Sequence, residues 1–187
     1  MRTQEVFQTY RSDNMTELDA IVRNSFISFV SDVRLESWTG RREREAISLY
    51  AFGHLLKQVR QGSVLYDPAQ IGIEIPVPQI PEYGRVCRKS ERRRKTQVCK
   101  DLVIWPQPAM TCWDLNDNPT VAPVAILEWK FGVRSISERD LTWLKSFSSI
   151  YTNFIGFAVS ANRPGEHLLL KVARVSGGKA ILDWFCV

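Results

Sequence analysis

Residues 123–132 read PVAILEWKFG, an apolar run that carries two charges, Glu128 and Lys130, near its end. Side chains at i and i+2 of a strand project to the same face. Glu128 and Lys130 therefore emerge together, with Val124 and Ile126 on their side, while Leu127, Trp129 and Phe131 face the other way. A carboxylate and an ammonium at the end of a buried strand cost free energy unless they pair or bind something. The plain account is a cross-strand ion pair at the rim of a sheet; the sharper account is a site.

The preceding apolar run bears on that choice. Residues 98–105, VCKDLVIW, read as the return strand of a hairpin arm over 84–105, and Asp101 opens its apolar part. This strand is the expected antiparallel neighbour of 123–132, which would set Asp101 beside Glu128 with Lys130 close by. Two carboxylates at one spot repel each other, and a hard divalent cation relieves the repulsion. Mg2+ is commonly held by one or two carboxylates together with waters and phosphate oxygens. Hydrolysis of a phosphodiester needs such a group: the cation neutralises the phosphate and lowers the pKa of a bound water, while a lysine positions that water or stabilises developing charge.

Around this pair the chain alternates helical and strand patterns. From Thr16 to about Leu35, Leu18, Ile21, Val22, Phe26, Phe29, Val30 and Val33 recur at helical spacing, with Asn14 or Thr16 as cap. Trp38-Thr39-Gly40 breaks the pattern. A second helix is expected over about 41–60, with Ala46, Leu49, Phe52, Leu56 and Val59 on one face and Gly62 just past its end. The period then becomes two at Ile71, Ile73 and Ile75, and Pro76, Pro78 and Pro81 mark a strand end or an edge. Turn chemistry fills Asp114–Pro119. Ser137–Tyr151 reads as a helix with Glu138 and Asp140 in its first turn, followed by a strand at 153–160. Residues 167–175 and 180–185 form a final pair turned at Ser176-Gly177-Gly178. The expected fold class is α/β, a mixed central sheet flanked by helices.

Composition sets the outer bounds. The 187 residues, 44% hydrophobic and 24% charged, suit a single domain with a real core. No apolar run approaches the roughly 20 residues of a membrane span, and the N-terminus lacks a secretory apolar stretch, so a soluble, cytoplasmic protein is expected with no membrane partner. Cys87, Cys99, Cys112 and Cys186 form no Cys-x-x-Cys pair and read as small reduced hydrophobes. The charge is uneven. Residues 85–100 hold eight Lys or Arg against Glu91, so this segment is +7 within a chain total of +5, leaving −2 on the rest. Such a field attracts polyanions and weakens with salt, although a solvated loop tip would look the same.

Asp101 followed on the next strand by Glu128-Trp129-Lys130 resembles the (D/E)-x-K signature of the PD-(D/E)XK, or restriction-endonuclease-like, nuclease superfamily. The resemblance covers about residues 41–160, an αβββαβ core, and leaves 1–40 as an N-terminal helical extension and 161–187 as added strands. It implies a divalent-metal-dependent nuclease using Mg2+ or Mn2+, with DNA favoured over RNA. By the same resemblance Asp101, Glu128 and a helix acid would bind the metal, and Lys130 would assist the attacking water. Glu45 is the matching helix acid, on the stripe of Leu49, Phe52 and Leu56, with Glu43 as the alternative. Arg88, Lys89, Arg92, Arg93, Arg94 and Lys95 of the basic arm would hold the phosphate backbone. Lys100 stands where the family often has proline. The alternative function is a catalytically inactive nuclease-fold module that binds nucleic acid or protein. A homodimer is compatible with the sequence, which shows no oligomer seam.

Other residues carry less. Glu74 could join the metal site but reads more readily as a solvent-facing strand carboxylate, and His54 and His167 are isolated. Trp105, Trp129 and Trp143 fit core positions, while Trp38 or Trp113 could stack on a base. Arg139 and Lys145 suit phosphate contact and a solvated helix face equally. The Gly-rich patterns of nucleotide binding are missing.

Overall fold

The computed structural model describes residues 12–35, 42–80, 97–116, 118–163 and 168–187, and the side chains of the first span from Glu17 to Val33. Helix α1 covers Ser12–Leu35. Its buried face is Leu18, Ile21, Val22, Phe26, Phe29, Val30 and Val33, the periodic set of the sequence.

The second helix differs from its expected form in phase. Helix α2 covers Glu43–Tyr50, widens into a π turn at Ala51–Leu55 and then tightens into a 3-10 turn at Leu56–Gln58. The face turned to the core is Ala46, Ile47, Tyr50, Ala51, His54 and Leu55, whereas Phe52 is 63% exposed. Two interleaved stripes compete here, and the one containing polar groups wins because α1 satisfies them. Ser25 Oγ lies 2.6 Å from the Tyr50 hydroxyl, and Ser28 Oγ lies 2.9 Å from His54 Nδ1. With its hydrogen bond made, a tyrosine ring contributes more apolar burial than a leucine.

Six strands form one sheet in sequence order: β1 (Ile71–Pro78), β2 (Gln97–Ile104), β3 (Ala125–Phe131), β4 (Ile155–Asn162), β5 (Leu169–Ser176) and β6 (Lys179–Cys186). All neighbours are antiparallel except β3 and β4, which run parallel and are joined through helix α3 (Glu138–Ile150). A parallel pair needs a crossover of this kind. The fold is thus α/β, with a mixed sheet flanked by helices.

The sheet divides the core into two layers. On one face α1 and α2 pack over Leu102, Ile104, Leu127, Trp129, Phe157 and Val172. Trp129 is fully buried there, its ring 5.8 Å from Phe26, 5.7 Å from Phe29 and 5.1 Å from Tyr50. On the other face α3 covers Val103, Trp105, Ile126, Ala158, Ala173 and Val175. Helix α3 approaches β4 so closely that a Cβ on Gly156 would stand 2.8 Å from Leu144 Cδ2.

The two edges of the sheet are irregular. In β1, Glu74 has φ 55°, and the strand's faces swap across it: Ile71 and Ile73 join the α1 side, Ile75 the α3 side. Pro76 and Pro78 lie within β1, which is an edge strand and ends at Pro78, in line with the proline pattern. At the far edge the register of β6 on β5 shifts between Val172 and Arg174, so β6 bulges around Leu182–Trp184. The β5–β6 turn places Gly177 and Gly178 at φ 53° and 75°, the left-handed geometry of a tight hairpin. No helix among the described residues is long and apolar enough to cross a membrane.

Candidate active site at the splayed end of two strands

Strands β2 and β3 pair only at Ile104/Ala125, Val103/Ile126 and Leu102/Leu127. Beyond this point they part: β2 stays with β1 and β3 stays with β4. The next opposed residues are Asp101 and Glu128. Opposed residues of an antiparallel pair share a face, and their neighbours Val103 and Ile126 lie in the α3-side core. Asp101 and Glu128 therefore project to that side together, near enough for a hydrogen bond between their carboxyls.

The parting strands free two backbone donors of β3, and carboxylates take both. Trp129 N donates to Asp101 Oδ2 at 2.7 Å, and Phe131 N donates to Glu43 Oε2 at 3.1 Å. A buried amide without a partner is costly, so these contacts let the strand end cleanly.

Lys130 fills the space between the helices. Its Nζ donates to the Trp129 carbonyl at 2.6 Å and to Glu43 Oε1 at 3.2 Å, and lies 3.9 Å from Asp140 Oδ2. Glu43 and Asp140 occupy the first turns of α2 and α3, where the helix dipole favours acids. The Ser137 hydroxyl caps α3 by accepting from Asp140 N at 3.3 Å.

Lys100 completes the cluster. It is almost fully buried, its ammonium pairs with the equally buried Glu128, and it lies 3.4 Å from the centroid of the Trp143 ring on α3. Strict alternation would have sent Lys100 to the face of Leu102. The irregularity at Asp101, opposite the kinked Glu74 and skipped in the β1–β2 pairing, turns it to the α3 side instead.

These surroundings move the ionisations. Burial pushes Glu128 up to about 7; Lys100 opposes that and Asp101 adds to it. Burial also raises Asp101, against the Trp129 amide and Lys130. The Lys100 ammonium is lowered by burial despite Glu128. For Lys130 burial disfavours the charge, but Asp101, Glu43 and Asp140 together outweigh it and hold the ammonium above its ordinary value.

Several sequence expectations can now be placed. Asp101, Glu128 and Lys130 come together. Glu45 does not join them: it lies on the exposed side of α2, where its Oε2 accepts from Arg42 N at 3.4 Å. The helix acid at the cluster is Glu43, because the buried stripe of α2 runs through 43, 46, 47, 50 and 54 rather than through Leu49 and Phe52. Glu74 is half exposed and pairs with Arg44 at 2.5 Å. His54 is buried beside Ser28, Arg139 is exposed and Lys145 half buried. Arg88, Lys89, Arg92, Arg93, Arg94 and Lys95 lie outside the described residues, as do Cys87, Trp38 and His167.

Two members of the cluster were not singled out in the sequence. Asp140 sits where a helix-start acid is expected on dipole grounds alone. Lys100 looked like one more charge of the basic arm.

Among the described residues, no three His, Cys, Asp or Glu side chains gather closely enough to hold a metal ion among themselves. Asp101 and Glu128 are a pair of facing carboxyls. A pair suits a hard cation whose remaining positions go to water and phosphate oxygens. Asp140 Oδ2, buried and without a hydrogen bond, is a further oxygen within electrostatic reach of Glu128. Compared with family models, curated proteins and solved structures, the chain matches none.

Proposed function

We propose that this protein is a divalent-metal-dependent nuclease that hydrolyses phosphodiester bonds, with DNA favoured over RNA on the sequence resemblance. The observation that carries the reading is the facing positions of Asp101 and Glu128 where β2 and β3 splay apart, with the Lys130 ammonium within electrostatic reach of Asp101. Two acids whose ionisation is disfavoured by burial, with Asp101 adding to the effect at Glu128, form a place that a cation stabilises.

In this reading Asp101 and Glu128 would hold Mg2+ or Mn2+, which would supply charge neutralisation of the phosphate and a more acidic bound water. Lys130 stays protonated, since three carboxylates face it. It therefore positions the attacking water and stabilises negative charge on the phosphate, rather than accepting a proton. Glu43 grips both the Lys130 ammonium and the Phe131 amide, and so fixes the height of the lysine above the strand. The basic arm would bind the phosphate backbone. Six phosphate contacts there would cost roughly a thousandfold in affinity between about 50 and 200 mM salt.

The test is cleavage of plasmid and oligonucleotide substrates with Mg2+ or Mn2+. Activity should be lost in Asp101→Ala and Lys130→Ala while circular dichroism shows both variants folded. A second reading, a nuclease-fold module that binds without cutting, is favoured by one observation: Lys100 already neutralises Glu128. Binding retained with no cleavage under any divalent metal would select it.

A further inference from the structure

Within the cluster one cation has no part in the chemistry outlined above. Lys100 is the residue before Asp101, and its ammonium pairs with Glu128 while resting on the face of Trp143. Its side chain is only 5% exposed and that of Glu128 only 6%, so water does little to screen the pair. Asp101 meanwhile spends one oxygen on the Trp129 amide. The Glu128 carboxylate is thus the more freely disposed acid of the pair, and Lys100 occupies it.

We infer that Lys100 is a built-in counter-ion that competes with the divalent cation for Glu128, so that loading the site requires the ammonium to leave Glu128. The inference rests on the reading of Asp101 and Glu128 as the metal-holding pair. The physical argument is one of charge. A divalent ion beside Glu128 would face the Lys100 ammonium at a few ångströms in a poorly screened interior, where like charges repel strongly. Trp143 gives the displaced ammonium somewhere to remain, since a cation over an indole face is stabilised without a carboxylate. The indole itself is anchored, with Nε1 donating to Gln79 Oε1 at 2.9 Å and its ring stacked on Phe147 at 4.8 Å. It therefore holds its place whichever way the lysine moves. Lys100 would be a positioning residue that sets how much metal the site needs.

The experiment is a Mn2+ titration of the full chain, with free Mn2+ followed by electron paramagnetic resonance, on the parent, Lys100→Met and Lys100→Arg. Lys100→Met should bind at least about tenfold more tightly, and Lys100→Arg, which keeps the cation, should bind like the parent. Equal or weaker binding by Lys100→Met, with the parent binding normally, overturns the inference and leaves the metal site standing. Binding by none of the three removes the metal-site reading and the inference with it.

Should Lys100→Met fail to fold, the parent supplies the measurement. Addition of Mg2+, which does not quench, should change the tryptophan emission as Lys100 shifts on the indole, and the change should vanish in Trp143→Phe. Mg2+ binding by calorimetry without any Trp143-dependent change overturns the inference.

Discussion

Replacing Lys100 by methionine should destabilise the protein in a way that reverses with pH. In the folded chain Glu128 titrates near 7 against an ordinary carboxylate value of 4.5. At about 1.4 kcal/mol per unit, its burial already carries a mismatch of roughly 3 kcal/mol above neutral pH, even with Lys100 present. An acid raised in this way holds its proton more tightly when folded. Its contribution is therefore most favourable below the unfolded value and is lost as pH rises through the folded value. Without Lys100 the Glu128 value rises further, so at about pH 8 the variant must bury an unpaired carboxylate or bind a proton against the gradient. Holding the proton at about pH 8 costs the variant at most about 5 kcal/mol, against roughly 3 kcal/mol in the parent, so the extra loss expected there is about 1–2 kcal/mol. At about pH 5 Glu128 is protonated in both proteins, and methionine spares the fold a buried ammonium, so the difference should fall below about 1 kcal/mol. Urea denaturation at the two pH values measures this, provided the m-values agree. A Lys100→Met/Glu128→Leu double variant should lose the Glu128-linked pH dependence and be at least as stable as the parent at about pH 8. An equal loss at both pH values would refute the buried pairing of Lys100 with Glu128.

Two further substitutions test the geometry around the site. Glu43→Ala should cost about 1–3 kcal/mol by orphaning the Phe131 amide and loosening Lys130, whereas Glu45→Ala should stay within about 1 kcal/mol; thermal melts of the two variants should therefore separate clearly. Gly156→Ala should lose about 1–3 kcal/mol, because the new methyl meets Leu144 Cβ at 3.0 Å as well as its Cδ2, and a pairing Leu144→Ala should recover part of the loss in a double-mutant cycle.

The strand at 123–132 was legible because its two charges broke an otherwise apolar pattern, and two-residue alternation then fixed the face of each side chain. Helix α1 was equally legible, since its stripe has no rival. Helix α2 was not: Leu49, Phe52 and Leu56 form a more apolar stripe than Tyr50 and His54, and only the hydroxyls of Ser25 and Ser28 on another helix decide between them. The choice between Glu45 and Glu43, which the sequence left open, turns on that phase: Glu43 is the one beside Lys130. Lys100 escaped for a related reason. Alternation gives its face correctly only in a regular strand, and the kink at Glu74 and Asp101 lies between two chains of hydrogen bonds that no local pattern records. Sequence periodicity reads elements that are uniform along their length; the candidate site is built where uniformity fails.

The frayed borders of the sheet bear on how copies of this chain meet in concentrated solution. A strand laid along β1 would find Pro76 and Pro78 offering no amide, and one laid along β6 would find the ribbon bowed at Leu182–Trp184. Prolines and bulges are common ways for proteins to discourage stacking of sheets into fibres. The exposed Ile181 and Leu182 sit on that bowed stretch, so greasy side chains are presented on a backbone badly shaped for templating another strand.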